Sequence, residues 1–315
     1  MISRQPVASE RLFRQSQDII DRASASFAAA SRLFPADIRR DVTLLYTWCR
    51  HCDDMTDGQA LGRGKISTAS SDTLLKLRAD SLTALAGQPS DELPFQALAN
   101  LSGRHAISRT LVEAHLRGFE LDVQGWQPET LDDTMKYCYH TAGTVGVMMA
   151  RIMNVSDGLT LQRASDLGIA FQLTNIARDV REDAMAGRSY LPGQWREAAN
   201  LDIADLTSDR NASRVFPLVK RLVLEAEAYY DSAAIGIRAL PRRAAWAIAA
   251  ARATYRDIGR QIVRRGPDAI SQRAFTSQSR KAMLTIAALS GAMAPRNAPS
   301  ASGARSGLWT PSEIA

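Results

Sequence analysis

No apolar run in this 315-residue chain reaches the length needed to cross a bilayer, about 20 residues. The opening stretch, MISRQPVASERLFRQSQDII, carries scattered charges and lacks the apolar core of a secretory leader, so no leader is expected. Cysteine is scarce and odd in number, at three, which argues against a disulfide framework and suits a reducing cytosol. Cys49 and Cys52 do form a C-x-x-C, but no second pair accompanies them, and buried structural thiols are expected rather than zinc or redox chemistry. The four histidines do not cluster as metal ligands. No G-x-S-x-G elbow is present. Gly64-Lys65 does not close a phosphate-binding loop, because Gln59 stands at the first glycine position and Ile66 at the Ser/Thr position. Alternating strand patterns are also missing, and β-branched residues never gather. These absences predict a soluble, cytoplasmic, helical protein that at most attaches to a membrane face.

What is present is ample core material: 45% hydrophobic and 23% charged residues. A net charge of +6 favours anionic partners without choosing among phosphates, anionic lipid and nucleic acid. Helical period predicts helices near 8–33, 37–57, 70–87, 93–102, 106–124, 129–153, 159–184, 211–236, 240–264 and 272–291. The breaks carry Pro35, the Gly58–Gly64 loop, Gly87-Gln88-Pro89, Asp157-Gly158, Gly187, Pro192-Gly193, Pro241 and Gly266-Pro267. With no linker splitting the core, residues 1–291 are expected to form one all-α domain, a helical bundle around a central cavity. The remainder, 292–315, turns to Pro, Ser, Gly and Ala and is expected to be disordered.

The least ordinary run is GIAFQLTNIARDVREDAMAGRSYLP, Gly168 to Pro192. Helical residues advance about 100° each, which places Gly168, Gln172, Asn175, Asp179 and Asp183 in one narrow stripe, with Glu182 on its edge. The rest of the circumference is mainly apolar: Leu167, Ile169, Ala170, Phe171, Leu173, Ile176, Ala177 and Val180. A surface helix shows the reverse, so the polar line is expected to face an internal cavity. Buried carboxylates need a partner or a cation, and oxygen-only ligands suit Mg²⁺ or Mn²⁺. The ordinary alternative is a solvated acidic edge near a helix end.

A second acidic pair weighs against that alternative. On the helix near 37–57, Tyr46, Arg50, Asp53 and Asp57 line one flank of the apolar face Ile38, Val42, Leu45, Cys49, and Asp54 is turned to the other side. Two facing acidic pairs suggest metal ions that bind and ionise a diphosphate, with Arg50 and Arg178 assisting. The stretch Tyr139–Met149 would form an apolar wall. Its small residues Ala142, Gly143 and Gly146 suit either close helix approach or room for a chain. His140 reads as an interior histidine rather than a base.

The motifs CRHCDDMTD at 49–57, YCYHTAGTVG at 137–146 and G-x-x-x-Q-x-x-N-x-x-R-D-x-x-E-D-x-x-x-x-R-x-Y-L-P at 168–192 resemble the squalene/phytoene synthase family, most of all its bacterial phytoene-forming members. SFAAASRLF at 26–34 and AWAIAAARATYRDIG at 245–259 are similar too. The resemblance covers roughly 24 to 289. It implies an isoprenoid synthase fold and the 1'-1 joining of two geranylgeranyl diphosphates through prephytoene diphosphate to phytoene, with loss of diphosphate, in carotenoid biosynthesis. By the same resemblance Asp53, Asp57, Asp179 and Asp183 hold Mg²⁺ or Mn²⁺. Asn175 and Gln172 orient an intermediate or a metal-bound water. Arg50, Arg178, Tyr46 and Tyr255 contact diphosphate or stabilise cations, and Arg273 and Lys281 match a basic diphosphate contact. No nicotinamide cofactor is expected for phytoene, and the resemblance leaves an ATP requirement open.

Three positions depart from the family pattern: Ala25 stands where a phosphate-binding lysine is usual, Gly58 where the first motif often has a further Asp, and Glu182 where Asp is common. Two other readings remain. A C30 synthase would use farnesyl diphosphate, and chain length depends on cavity depth. Outside the class, a basic helical protein could bind nucleic acid or anionic lipid through Arg252, Arg256, Arg260 and Arg264, which recur every four residues. Interleaved aromatics for base stacking are missing there, so nucleic acid is not expected, and the ridge is read as a solvated face. Docking to a membrane is its weaker use.

Overall fold

The computed structural model describes residues 4–61, 69–293 and 305–311, all but 4–8, 25, 26 and 290–293 of them with their side chains. The Gly64-Lys65 segment, the Ala25 side chain and the tail at 294–304 and 312–315 lie outside the described residues. Among those described there is no strand, and most of the predicted helical segments form, though the one expected over 272–291 begins only at Gln278.

The chain divides into two compact units, Met1–Gln124 with Met148–Val155, and Gly125–Val147 with Ser156–Ala315. The first unit begins with α1 (Arg4–Ala23), α2 (Ala25–Ser31), α3 (Ala36–Asp57), α4 (Ser71–Leu85), α5 (Leu93–Ser102) and α6 (Arg109–Val123). A single helix over 8–33 is not what forms. Ser24 takes an extended backbone and its Oγ accepts from the Phe27 N–H, so a capping side chain starts a new helix. The unit's core is Ile20, Leu44, Leu45, Trp48, Phe95, Leu98 and Val112, all essentially excluded from water. Buried Trp48 donates from Nε1 to Ser81 Oγ at 3.2 Å, so its polar edge is satisfied. Cys49 and Cys52 are free thiols whose pKa burial pushes up.

The second unit opens with α7 (Leu131–Cys138), capped by a reciprocal Thr130–Asp133 box. The helix expected over 129–153 is interrupted: Tyr139–Gly143 forms a π turn before α8 (Thr144–Ile152) resumes. There follow α9 (Gly158–Met185), α10 (Gly193–Ala198), α11 (Ala212–Ile237), α12 (Arg242–Arg265), α13 (Asp268–Ser271) and α14 (Gln278–Met293). Asp157 caps α9 by accepting from the Thr160 N–H at 2.8 Å. Ile169, Ala170, Leu173, Ile176 and Ala177 bury its apolar circumference, and α11 lies alongside with Val219, Leu222, Ala226 and Tyr230.

The small residues of 142–146 serve close approach. A Cβ at Gly168 would stand 2.1 Å from the Ala142 carbonyl oxygen, and one at Gly146 2.2 Å from that of Ala164. Backbone meets backbone at both points, which only glycine permits.

Residues 305–311, in the stretch expected to be disordered, dock on this unit. Arg305 makes a two-pronged contact to Asp166 at 2.8 and 2.7 Å, and the Trp309 N–H donates to Tyr229 Oη at 3.1 Å. Asp166 is fully buried and also accepts from Ser232 Oγ at 2.5 Å. A Pro/Ser/Gly-rich composition foretells a poor core but does not prevent a short peptide from being held by one arginine and one tryptophan.

Candidate functional site

In the first unit Arg50 of α3 pairs with Asp53, but Asp54 is not turned away as the wheel reading expects: it too lies within reach of Arg50. Arg50 Nη2 lies 2.7 Å from Asp53 Oδ2. Tyr46, one turn earlier, stacks on Phe27 with ring centres 4.7 Å apart. Asp53 sits in a recess crowded by protein, although 44% of its side-chain surface still meets solvent. That crowding pushes its pKa up, Arg50 works against the rise, and Asp57, Asp54 and Asp122 add to it, bringing the carboxyl to about 7. Negative charge reaching Asp53 from three other carboxylates is a repulsion that a divalent cation would relieve.

Asp54 takes a separate part. Its Oδ2 accepts from the Leu61 N–H at 2.7 Å, holding the chain as it leaves α3, while Oδ1 lies 3.3 Å from Arg50 Nε. Leu61 has φ 54°, and that bond steadies a backbone shape most residues avoid.

In the second unit the polar stripe of α9 gathers as expected and gains a distant residue. Arg178 donates from Nε to Asp179 Oδ1 at 2.8 Å and from Nη2 to Oδ2. Arg273, 55% exposed in the loop before α14, donates from Nε to the same Oδ1 at 2.6 Å. Burial works to raise the Asp179 pKa, but the hydrogen bonds from Arg178 and Arg273 outweigh it and hold the carboxyl below its ordinary value. The backbone leaves helical geometry at Asp179, with φ −104° and ψ 15°.

One turn back, Asn175 Nδ2 donates to Gln172 Oε1 at 3.3 Å, while Asn175 Oδ1 is buried with no hydrogen-bond partner among the described residues. Asp183 lies half-buried one turn beyond Asp179. Phe171 stacks on Tyr255 with centres 4.3 Å apart, so an aromatic pair adjoins the stripe. Lys281 occupies the first turn of α14, half-buried.

These donors fit a hard divalent ion. Asn175 supplies an unspent buried oxygen, and each helix offers a carboxylate pair one turn apart. No three His, Cys, Asp or Glu side chains assemble into a cage among the described residues. Mg²⁺ does not need one, because it keeps several waters and binds through one or two carboxylates plus substrate phosphates.

Asp122 was missed from the sequence. It ends an ordinary amphipathic helix, α6, with no periodicity to mark it, and only folding brings its charge to bear on Asp53. The arginine ridge of α12 is largely spent on α11: Arg252 bonds the Tyr230 carbonyl at 2.7 Å, and Arg256 lies 2.5 Å from Glu227 and 2.8 Å from Asp231. It is thus not the open basic face expected of a nucleic-acid surface.

The squalene/phytoene synthase family profile matches residues 20–280. A 15-cis-phytoene synthase of Pantoea ananas is 46% identical over 276 residues, covering 87% of this chain and 89% of that one. A 15-cis-phytoene synthase of a Paracoccus species is 45% identical, covering 94% and 96%. Among solved structures, a dehydrosqualene synthase in complex with ligand superposes with TM-score 0.77 at 25% identity, covering 90% of this chain and 97% of that one. A squalene synthase from Alicyclobacillus acidocaldarius, at 21% identity and TM-score 0.74, covers 83% and 96% and shares the fold.

Proposed function

The chain belongs to the squalene/phytoene synthase family, and within it we propose a prenyltransferase of the 15-cis-phytoene synthase type, joining two geranylgeranyl diphosphates head to head through prephytoene diphosphate. The observation that carries this reading is identity of 45–46% to phytoene synthases along almost the whole chain, with the polar stripe of α9 intact. Residues 1–291 are read as one synthase domain, because the family match runs through both units.

Asp53 with Asp57, and Asp179 with Asp183 and Asn175, are the proposed ligands for Mg²⁺ or Mn²⁺. Held there, such ions would supply positive charge against a departing diphosphate. The chain's own groups do the rest. Arg178 and Arg273, already converging on Asp179, offer forked donors to diphosphate oxygens, with Arg50 and Lys281 as further cations. Gln172 and Asn175 orient the bound intermediate. Tyr46 and Tyr255 present ring faces that favour positive charge on an allylic carbon. Prenyl diphosphates are the substrates, and no helix among the described residues is long and apolar enough to cross a membrane.

The C30 alternative draws on the dehydrosqualene synthase likeness. Incubating the protein with farnesyl or geranylgeranyl diphosphate and Mg²⁺, then weighing the hydrocarbon by mass spectrometry, separates the two. A C40 product that EDTA abolishes is the expected result; a C30 product alone overturns the chain-length assignment, and turnover in EDTA overturns the metal's role.

A further inference from the structure

Large apolar side chains that stay exposed are few among the described residues, and they concentrate in one place. Phe275, in the loop leading to α14, is 72% exposed, and on α14 itself Met283, Ile286 and Leu289 are 48%, 72% and 42% exposed. Their outward aim is fixed by the bonds on the helix's other side. Trp246 Nε1 donates to the Thr285 carbonyl at 2.8 Å, and Arg280 reaches Asp257 Oδ1 at 3.0 and 3.1 Å. Asp257 is buried and also accepts from Thr276 Oγ1 at 3.2 Å and Gln261 Nε2 at 2.7 Å, so the start of α14 is firmly seated.

The water-facing arc is then Ala282, Met283, Ile286, Ala287 and Leu289, and 282–293, AMLTIAALSGAM, contains no charged residue. A helix resting on a soluble core turns its apolar stripe inward and its charges outward; over 282–289, α14 instead leaves Met283, Ile286 and Leu289 to water and carries no charge. Charge sits at its ends instead. Arg280 and Lys281 precede the apolar arc. Trp246 beside Thr285 and Asp257 beside Arg280 show that α12 and α14 run antiparallel, which brings exposed Arg242 and Arg243 alongside the far end.

The tail is a poor cover for this face. Residues 294–304, APRNAPSASGA, contain no large apolar side chain, and the Leu308-Trp309 pair that follows is held by Asp166 and Tyr229 on α9 and α11. An uncharged apolar arc flanked by cations, on a chain of net charge +6, matches the headgroup–acyl boundary of an anionic bilayer.

We propose that α14 is a membrane-docking helix, with Met283, Ile286 and Leu289 set into an anionic lipid surface and Arg242 and Arg243 on lipid phosphates. This deepens the proposed function and rests on it for its purpose, since a C40 hydrocarbon has no place in water. The test does not depend on turnover. Full-length protein is floated with vesicles of phosphatidylglycerol and phosphatidylcholine, and with phosphatidylcholine alone, beside Met283→Asp/Ile286→Asp, the milder Ile286→Ser and Arg242→Glu/Arg243→Glu. Wild type is expected to float with the anionic vesicles. Binding should fall about tenfold or more in the double aspartate variant and by less in the other two. Turnover on detergent-dispersed substrate should be unchanged in all three, with thermal melting confirming the fold. Equal flotation of wild type and the aspartate variant overturns the proposal, as does no flotation of wild type. Light scattering that finds a lipid-free dimer lost in the aspartate variant assigns the face to a second copy instead.

Discussion

Arg273 and Asp179, ninety-four positions apart, meet at 2.6 Å, on the same carboxylate oxygen that Arg178 approaches at 2.8 Å. Two guanidiniums on one oxygen hold the carboxyl below its ordinary pKa, and any cation approaching that oxygen must compete with them. Arg273 is the more exposed of the two and the freer to exchange partners. Replacing it with alanine should tighten Mg²⁺ binding to the substrate-free protein severalfold, read by calorimetry, while raising KM for the diphosphate substrate by about tenfold. Weaker metal binding in Arg273→Ala would contradict the exchange.

Asp53→Ala and Asp179→Ala should each abolish product while leaving the helical circular dichroism intact. Asp57→Asn should cost far more turnover than Asp54→Asn. Asp54 is committed to the Leu61 N–H, so its loss should appear as about 1 kcal/mol of stability rather than as lost catalysis. Equal losses of kcat in the two asparagine variants would refute this division.

The raised pKa of Asp53 gives a pH dependence of definite sign. Unfolded, the group titrates near 4; folded and metal-free, at about 7. The folded protein therefore holds the proton more tightly, and the stability this confers is complete below about 4 and lost as pH climbs through about 7. Asp53→Asn should melt progressively above wild type as pH is raised from about 5 to 7.5 in EDTA, and added Mg²⁺ should narrow the gap. Parallel melting curves across that range would place Asp53 outside the crowded recess.

Gly168→Ala should destabilise by several kcal/mol, because its methyl would meet the Ala142 carbonyl at 2.1 Å, backbone against backbone. Gly103→Ala is the control: there the nearest atom is 3.6 Å away, and the change should be close to neutral. Urea melts that rank the two alike would mean the α9 contact with the π turn is looser than described.

Arg305→Leu leaves the fully buried Asp166 without its two-pronged partner, a loss that costs about 3–5 kcal/mol elsewhere. Its melting temperature should fall by about 6 °C or more, and Asp166→Asn added to it should restore part of the drop. An unchanged melting temperature would show that 305–311 do not hold α9.

The long helices were legible because their apolar period is strong and their ends carry punctuation. The helix expected over 159–184 is Gly158–Met185, and that over 37–57 is Ala36–Asp57. The positions of the α9 stripe were legible for the same reason, since the helical period alone puts Gln172, Asn175, Asp179 and Asp183 about one turn apart. What escaped lacks periodicity. Ser24 restarts a helix through one hydroxyl, and Tyr139–Gly143 widens to a π turn where glycine lets α9 press in. Asp122 acts on Asp53 across helices, and Arg305 finds Asp166 from a stretch whose composition signals no structure. Such pairings are made by folding and leave no mark in spacing.

The departure from helical backbone at Asp179 means that Asp179 and Asp183 are not two pegs on a stiff rod. The span between their oxygens crosses a residue whose backbone is not helical, so the regular rise of α9 alone does not set it. If that pair holds the divalent ion proposed above, its spacing is set by this local departure as well as by the helical rise.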